Sequence, residues 1–495
     1  MDRANRIFKK IVYLKPIGFW PGFTIGLLYF SYIFYWFWSV HSLVSSGIES
    51  RVLAFLIILL PFIITVIGMS LFWGIFSYAI FNFFKNINPI FLPFFYAGTF
   101  VLVEYSRTWF FGILWAGQES LLGPHWTFGN IAYLLTDMSP IRQSASYWGI
   151  YGVDFLIIFF GIALFLLIKF WRKKSKIILA LEISSIVAVL ILINLVSSAD
   201  ELKVKNEKLT VSVIQTKNPI KTLYEPEELL TDFSEKNRLL KEASKKSDLV
   251  VFPESADFSK SLSGFLDFDS VRKYFNNLSQ KNILIIDSNR ILEQERLKSK
   301  VVLIDSKEGV VGSYDKKLLT PGGESLPYLA KLPLFIVEYL WKNNFISSRT
   351  IFSGGTENNV LSYQNNKIKL LVCSDIISPG LSRSGKFGFM INMNNLAVFN
   401  GNTLLEGELL SMARFRAAEN NKYLVISSNF GHSYIINSLG NVVDSTDSAG
   451  YQILTMAIVP NQVRTWYNKL GDIPVLIVSF IIVLFGLKTT RSRKF

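Results

Sequence analysis

Runs of about 20 apolar residues, long enough to cross a bilayer as helices, restrict this chain more than any other feature. In lipid the backbone must satisfy its own hydrogen bonds, so a spanning run of this kind folds as a helix. Six such runs occur, roughly at 18–40, 52–73, 88–112, 147–170, 177–197 and 472–488. The stretch 74–84 is also apolar and lengthens the second run or hides a bend, and Pro61 lies inside that run where a kink is tolerated. Half of the 495 residues are apolar and 15% are aromatic, with 42 Phe, which is too apolar for an ordinary soluble enzyme. The excess sits in the first two hundred residues and the last twenty-five. Residues 200–465 alternate like a globular domain.

The basic residues orient the runs, because lysine and arginine favour the cytoplasmic side. Arg3, Arg6, Lys9 and Lys10 precede the first run. Arg172, Lys173 and Lys174 lie between the fourth and fifth, and the chain ends Lys488-Thr-Thr-Arg-Ser-Arg-Lys-Phe495. Six crossings place all three groups inside and the globular block outside. This organisation reads as a membrane domain over 1–199 with about five spanning helices, a catalytic block over 200–467, and a last span with a basic tail over 468–495. The net charge of +14 is partly this topology signal, so no nucleic-acid partner is expected. The first run is too long for a signal-peptide core and lacks a small-residue cleavage site, so it reads as an uncleaved anchor.

The globular block has the grammar of an α/β sheet. Strands are predicted at 209–215, 248–252 and 282–287, helices at 227–246 and 270–280, and a hairpin of 300–305 with 310–314 around Lys307-Glu-Gly309. Cys373, the only cysteine, ends the strand-like run Lys367-Ile-Lys-Leu-Leu-Val-Cys373, so an internal disulfide is excluded. It is either a buried hydrophobe or a nucleophile where a strand hands over to a loop. Leu249-Val-Val-Phe-Pro-Glu254 ends in a carboxylate, and Val310-Val-Gly-Ser-Tyr-Asp-Lys316 ends in a lysine. These groups lie 62 and then 57 residues apart, and strand ends are where such sheets gather catalytic groups. His41, His125 and His432 lack ligand spacing and no phosphate-binding glycine loop occurs, so neither metal nor cofactor is expected.

Phe252-Pro-Glu-Ser255, Tyr314-Asp-Lys-Lys317 followed by Pro321-Gly-Gly-Glu324, and Val372-Cys-Ser-Asp375 resemble the three signature segments of the carbon–nitrogen hydrolase (nitrilase) superfamily. The flanking spans resemble its membrane branch, apolipoprotein N-acyltransferase. So do Glu104-Tyr-Ser-Arg107 with Trp109, Gly152-Val-Asp-Phe155, and Met412-Ala-Arg-Phe-Arg-Ala-Ala-Glu419. The resemblance covers nearly the whole chain. It implies a multispan helical domain in a bacterial inner membrane and an αββα sandwich on the periplasmic side, acting as a monomer. It also implies an acyl chain passed from a phospholipid to a cysteine thioester, then to the N-terminal amine of a diacylglyceryl apolipoprotein. In those terms Cys373 is the nucleophile, Glu254 the general base and Lys316 the oxyanion partner. Glu324 matches a supporting carboxylate that holds the lysine or the thiol, its other reading being a solvated loop residue. Asp375 stands where the family usually has Glu. Lys317 rivals Lys316, but the Tyr-x-Lys pattern favours Lys316, and the next residue of an extended segment points to the opposite face.

Three departures accompany the resemblance. The family typically has eight spans, against six here. Pro321-Gly-Gly323 and Ser374 replace aromatic-containing positions, and Met393-Asn-Asn-Leu-Ala-Val-Phe399 keeps little of the expected run. The apolar segment 326–349 reads as an arm dipping into lipid or as packing within the domain. A membrane-anchored amidase shares every catalytic residue. A transporter or scaffold would place polar residues within spans, whereas Glu104, Arg107 and Asp154 read as lying near span ends.

Overall fold

The computed structural model describes residues 18–40, 51–83, 87–172, 183, 207–219, 224–331, 335, 339, 352–447 and 450–492. Apart from isolated residues, the fifth run (177–197) and most of the segment 332–351 lie outside the described residues, as do the basic N-terminus and residues 493–495. The other five runs are helical: Phe19–Ile33, Arg51–Phe83, Leu92–Leu114, Ser139–Arg172 and Ile473–Ser492. Among the described residues, Ala54–Phe83, Pro89–Leu114 and Ser139–Lys169 are long and apolar enough to cross a membrane, and Ile473–Lys488 is a shorter apolar helix. Small residues let the first two helices touch. A Cβ on Gly22 would fall 2.2 Å from the Trp73 carbonyl oxygen, as expected where packing rather than hydrophobicity joins helices in lipid.

Two charged residues of this half correct the sequence reading. Glu104 and Arg107 lie inside Leu92–Leu114 and not at its end, whereas Asp154 stands, as expected, soon after the break in the helix at Gly149; all three are fully buried. Arg107 donates to Glu104 at 2.7 and 2.9 Å and to the Phe128 carbonyl at 2.8 Å. Trp73 donates to the other Glu104 oxygen at 3.1 Å, and Asn130 donates to Asp154 at 2.6 Å. Pairing makes such burial tolerable, and these charges tie helices together.

The outer block is a sandwich of two six-stranded sheets. The first contains β1 (Leu209–Gln215), β2 (Leu249–Val251), β3 (Leu284–Glu293), β4 (Arg296–Asp305), β5 (Gly309–Asp315) and β12 (Gln452–Ile458), in the order β12-β1-β2-β3-β4-β5. The second contains β6 (Val360–Tyr363), β7 (Asn366–Val372), β8 (Phe389–Asn395), β9 (Leu424–Asn429), β10 (Tyr434–Ile436) and β11 (Val442–Ser445), in the order β11-β10-β9-β8-β7-β6. Alternate residues of both sheets, such as Val213, Val251 and Ile286 against Leu370, Ile391 and Val425, fill the space between them. Helix Pro226–Ser244 covers the first sheet, with its proline in the first turn as expected, and helix Thr403–Asn420 covers the second.

Two predicted boundaries move. The helix expected at 270–280 is Phe268–Asn276, because the Asp267 side chain caps it by accepting from the Ser270 N–H at 2.8 Å. The strand expected at 282–287 continues to Glu293, where β3 turns back into β4 as a long hairpin.

The two halves share one core. Phe30, Phe111 and Trp126 from the helical half pack with Leu371, Ile376, Leu405 and Met412 of the sandwich. Hydrogen bonds cross the same seam: Thr127 donates to the Ile377 carbonyl at 2.8 Å, and the Ile150 N–H donates to Glu419 at 3.1 Å. The turn that follows β7 therefore packs against the helical half.

Candidate active site

The strands β2, β5, β7 and β8 all end at one edge of the sandwich, and each delivers one group there. Glu254 follows β2, Lys316 follows β5, and Cys373 opens the 3-10 turn after β7. The backbone is strained at two of these exits: Cys373 has φ 47°, and Ser255 and Asp257, just past Glu254, have φ 56° and 52°. Non-glycine residues rarely adopt such angles, and they cluster where geometry is imposed for function.

The structure brings together all three residues of the expected trio and one of the two supporting residues. Lys316, almost wholly buried, has its Nζ 3.0 Å from Glu254 Oε1 and 2.8 Å from Glu324 Oε2. Glu324 is thus a partner of the lysine and not a solvated loop residue, and it also accepts from the Thr320 N–H at 2.8 Å. Asp375 does something different. It accepts from Tyr314 Oη at 2.8 Å, from the Leu318 N–H at 2.8 Å and from the Val372 N–H at 3.1 Å. Tyr314 and Leu318 flank Lys316 in sequence, and Val372 precedes Cys373. Asp375 therefore clamps the lysine segment to the cysteine turn, while burial raises its carboxyl above the ordinary range. Ser374, small where an aromatic was expected, hydrogen-bonds the Leu318 carbonyl and strengthens the same clamp.

Sequence reasoning missed Asn395 and Asn429. Asn395 Oδ1 accepts from Asn429 Nδ2 at 2.9 Å, and its Nδ2 reaches the Glu254 carbonyl at 3.5 Å. The signal was their placement at the ends of strands parallel to the cysteine strand. That becomes visible only once the sheet order is known.

Electrostatics bear on the state of the thiol. A free cysteine is a few per cent ionised at neutral pH, and the residues in order leave the resting state of Cys373 open. Burial comes first and raises the thiol, the Glu254 carboxylate raises it further, and Lys316 only partly opposes them, so the thiol is pushed up to about 12. One ammonium faces two carboxylates here, and a thiolate would be a third anion. The resting sulfur is therefore protonated. Burial also raises Glu254, against the pull of Lys316, toward the range where a carboxylate works as a base. Lys316 is held well above the ordinary range, burial opposing and Glu254 and Glu324 outweighing it.

Lys369, on β7 four residues before the cysteine, is a second buried lysine that faces away from the site. It donates to Asn359 Oδ1 and Ser384 Oγ, both at 2.6 Å, and lacks a carboxylate within ion-pair distance among the described residues. Burial, aided by nearby Lys317, lowers it to about 7. An unfolded lysine titrates near 10.4, so between about pH 7 and 10 the unfolded chain binds the extra proton and stability rises with pH. Lys369→Met is expected to stabilise the protein by about 2 kcal/mol at pH 6.5, net of the stranded acceptors, and to lose that advantage by pH 10. Thermal unfolding in detergent at both pH values measures it; an equal effect at both would contradict the assignment.

Family models match both halves of the chain. The carbon–nitrogen hydrolase family model matches residues 210–468, and the apolipoprotein N-acyltransferase N-terminal domain model matches residues 13–163. An apolipoprotein N-acyltransferase of Geobacter metallireducens is 27% identical over 379 residues, 73% of this chain and 70% of that protein. One of Pasteurella multocida is 23% identical over 498 residues, 95% of this chain and 86% of that protein. Among solved structures, a CN-hydrolase superfamily protein of Xanthomonas campestris is 18% identical with a TM-score of 0.37, covering 51% of this chain and 91% of its own.

Proposed function

This chain belongs to the carbon–nitrogen hydrolase family, in its apolipoprotein N-acyltransferase branch, and on that premise we propose that it acylates lipoproteins through a thioester on Cys373. It is an inner-membrane acyltransferase. The donor in this reading is a phospholipid, the acceptor is the α-amine of an S-diacylglyceryl cysteine, and the sandwich works on the periplasmic side with both termini in the cytoplasm. The observation that carries the reading is the contact of Lys316 with Glu254 and Glu324 beside a strained Cys373.

The chemistry follows from the charges. A neutral thiol must lose its proton as it attacks the ester carbonyl, and Glu254 is the base within the cluster. An ammonium has three donors. Two face the carboxylates, and the third is available to the oxygen that becomes negative at the attacked carbonyl. Glu254 then returns the proton to the departing lysophospholipid hydroxyl. In the second half-reaction Glu254 takes a proton from the attacking amine, and the thiol leaves. A water in place of the amine would make the same site an amidase-type hydrolase. The shared core of helical half and sandwich favours lipid substrates, because a hydrolase of small amides gains nothing from a membrane half packed against the turn of its nucleophile.

Intact-mass spectrometry after incubation with phosphatidylglycerol vesicles tests the proposal. One added acyl group, absent from Cys373→Ala and discharged by a diacylglyceryl-cysteine peptide but not by water, is expected. Rapid discharge by water would make the protein a hydrolase, and no adduct on folded protein would overturn the reading.

A further inference from the structure

The β3–β4 hairpin runs on past the end of β2, so its distal half stands beside the segment that carries Glu254. Its last paired residues are Glu293 and Arg296, and an ion pair between Arg296 and Glu119 pins its tip to the helical half. The alternating residues Arg290 and Leu292 share one face of this hairpin, and both are exposed. Arg290 donates from Nε to Ser255 Oγ at 3.0 Å, and Ser255 is the residue after Glu254. Lys260 lies alongside, its Nζ 2.6 Å from the Arg290 carbonyl oxygen and 3.8 Å from Asp257 Oδ1, which also accepts from the Arg290 N–H at 2.8 Å. Among the described residues no carboxylate lies within ion-pair distance of the Arg290 guanidinium, which uses one of its five donors on Ser255.

An unpaired arginine here works against the proposed chemistry, because its charge lowers the basicity of Glu254. A bound anion would cancel that penalty. The flanking chemistry says which anion: a guanidinium suited to a phosphate, next to an exposed leucine, on a strand pinned to the membrane half. We propose that Arg290, with Lys260 behind it, binds the phosphodiester of the glycerophospholipid donor and so directs the glycerol ester toward Cys373. The inference rests on the acyl-transfer reading above and adds the headgroup subsite to it. The selectivity is for a phosphodiester over an uncharged headgroup, and the leucine meets the first apolar atoms below the phosphate.

Two donors in the same detergent micelles separate this inference from the reading beneath it: phosphatidylglycerol and uncharged diacylglycerol, each assayed for acylation of Cys373 in full-length protein. In Arg290→Gln the ratio of kcat/KM for phosphatidylglycerol over diacylglycerol is expected to fall about tenfold, through KM, with part of it restored in Arg290→Lys. An unchanged ratio overturns the subsite. So does an equal fall for both donors, or a pH profile whose acid limb moves upward while the ratio holds, since Arg290 would then act only through Glu254. If the wild type accepts an acyl group from neither donor, the acyl-transfer reading itself fails.

Discussion

Glu254→Gln is expected to cut acyl transfer by about 10³-fold while making Cys373 more acidic. The two effects run in opposite directions because the carboxylate has two roles. As a base it carries the proton in both half-reactions, a contribution of order 10²–10⁴. As a negative charge it opposes the thiolate, so replacing it with a neutral amide of the same shape leaves Lys316 facing only Glu324. A thiolate then becomes the second anion of the pocket instead of the third, and the thiol falls from about 12. Alkylation by iodoacetamide without lipid follows the thiolate. In the wild type it should keep climbing above pH 9, where an ordinary cysteine levels off, and in the variant it should level off earlier. Slower transfer with no change in the alkylation profile would mean that Glu254 does not sense the sulfur.

Lys316→Met is expected to abolish transfer and also to destabilise the fold, by about 3–5 kcal/mol, the usual cost of stranding one side of a buried ion pair. Glu254 and Glu324 would face each other without a cation, and one of them must take up a proton. Its folded pKa then lies above its unfolded value, so the folded state binds the extra proton. Stability of the variant therefore falls as pH rises through that raised value. The deficit should be small near pH 5 and largest near pH 8, and it should shrink in the double variant Lys316→Met with Glu324→Gln. Unfolding curves for the three proteins at both pH values measure this. A deficit independent of pH would show that the lysine acts by packing alone.

The contrast between Glu324 and Asp375 marks how far the residues could be read in order. Both were named from motif position, but one grips the ammonium and the other holds two backbone segments together. A loop carboxylate has no periodicity, so its partner is invisible until the chain has closed around it. Two charges of the helical half failed for a related reason. Glu104 and Arg107 form one i,i+3 pair within a helix, and a hydropathy window that registers only their charge moves them toward an end.

What the sequence determined by itself is what depends on local or cumulative properties. The length of apolar runs decided that much of the chain is helical and bound for a membrane. Strand-helix alternation decided the α/β class, the family resemblance implied the sandwich, and strand-end motifs picked out Glu254, Lys316 and Cys373. What only the tertiary structure decided depends on distance between groups far apart in the chain. Sheet order put Asn395 against Asn429 and the Glu254 carbonyl. Burial together with two carboxylates made Cys373 a protonated thiol, and the unbroken β3–β4 hairpin brought Arg290 to the segment that carries Glu254. Coulomb and desolvation energies depend on separation and on the surrounding medium, and neither is written in the order of the residues.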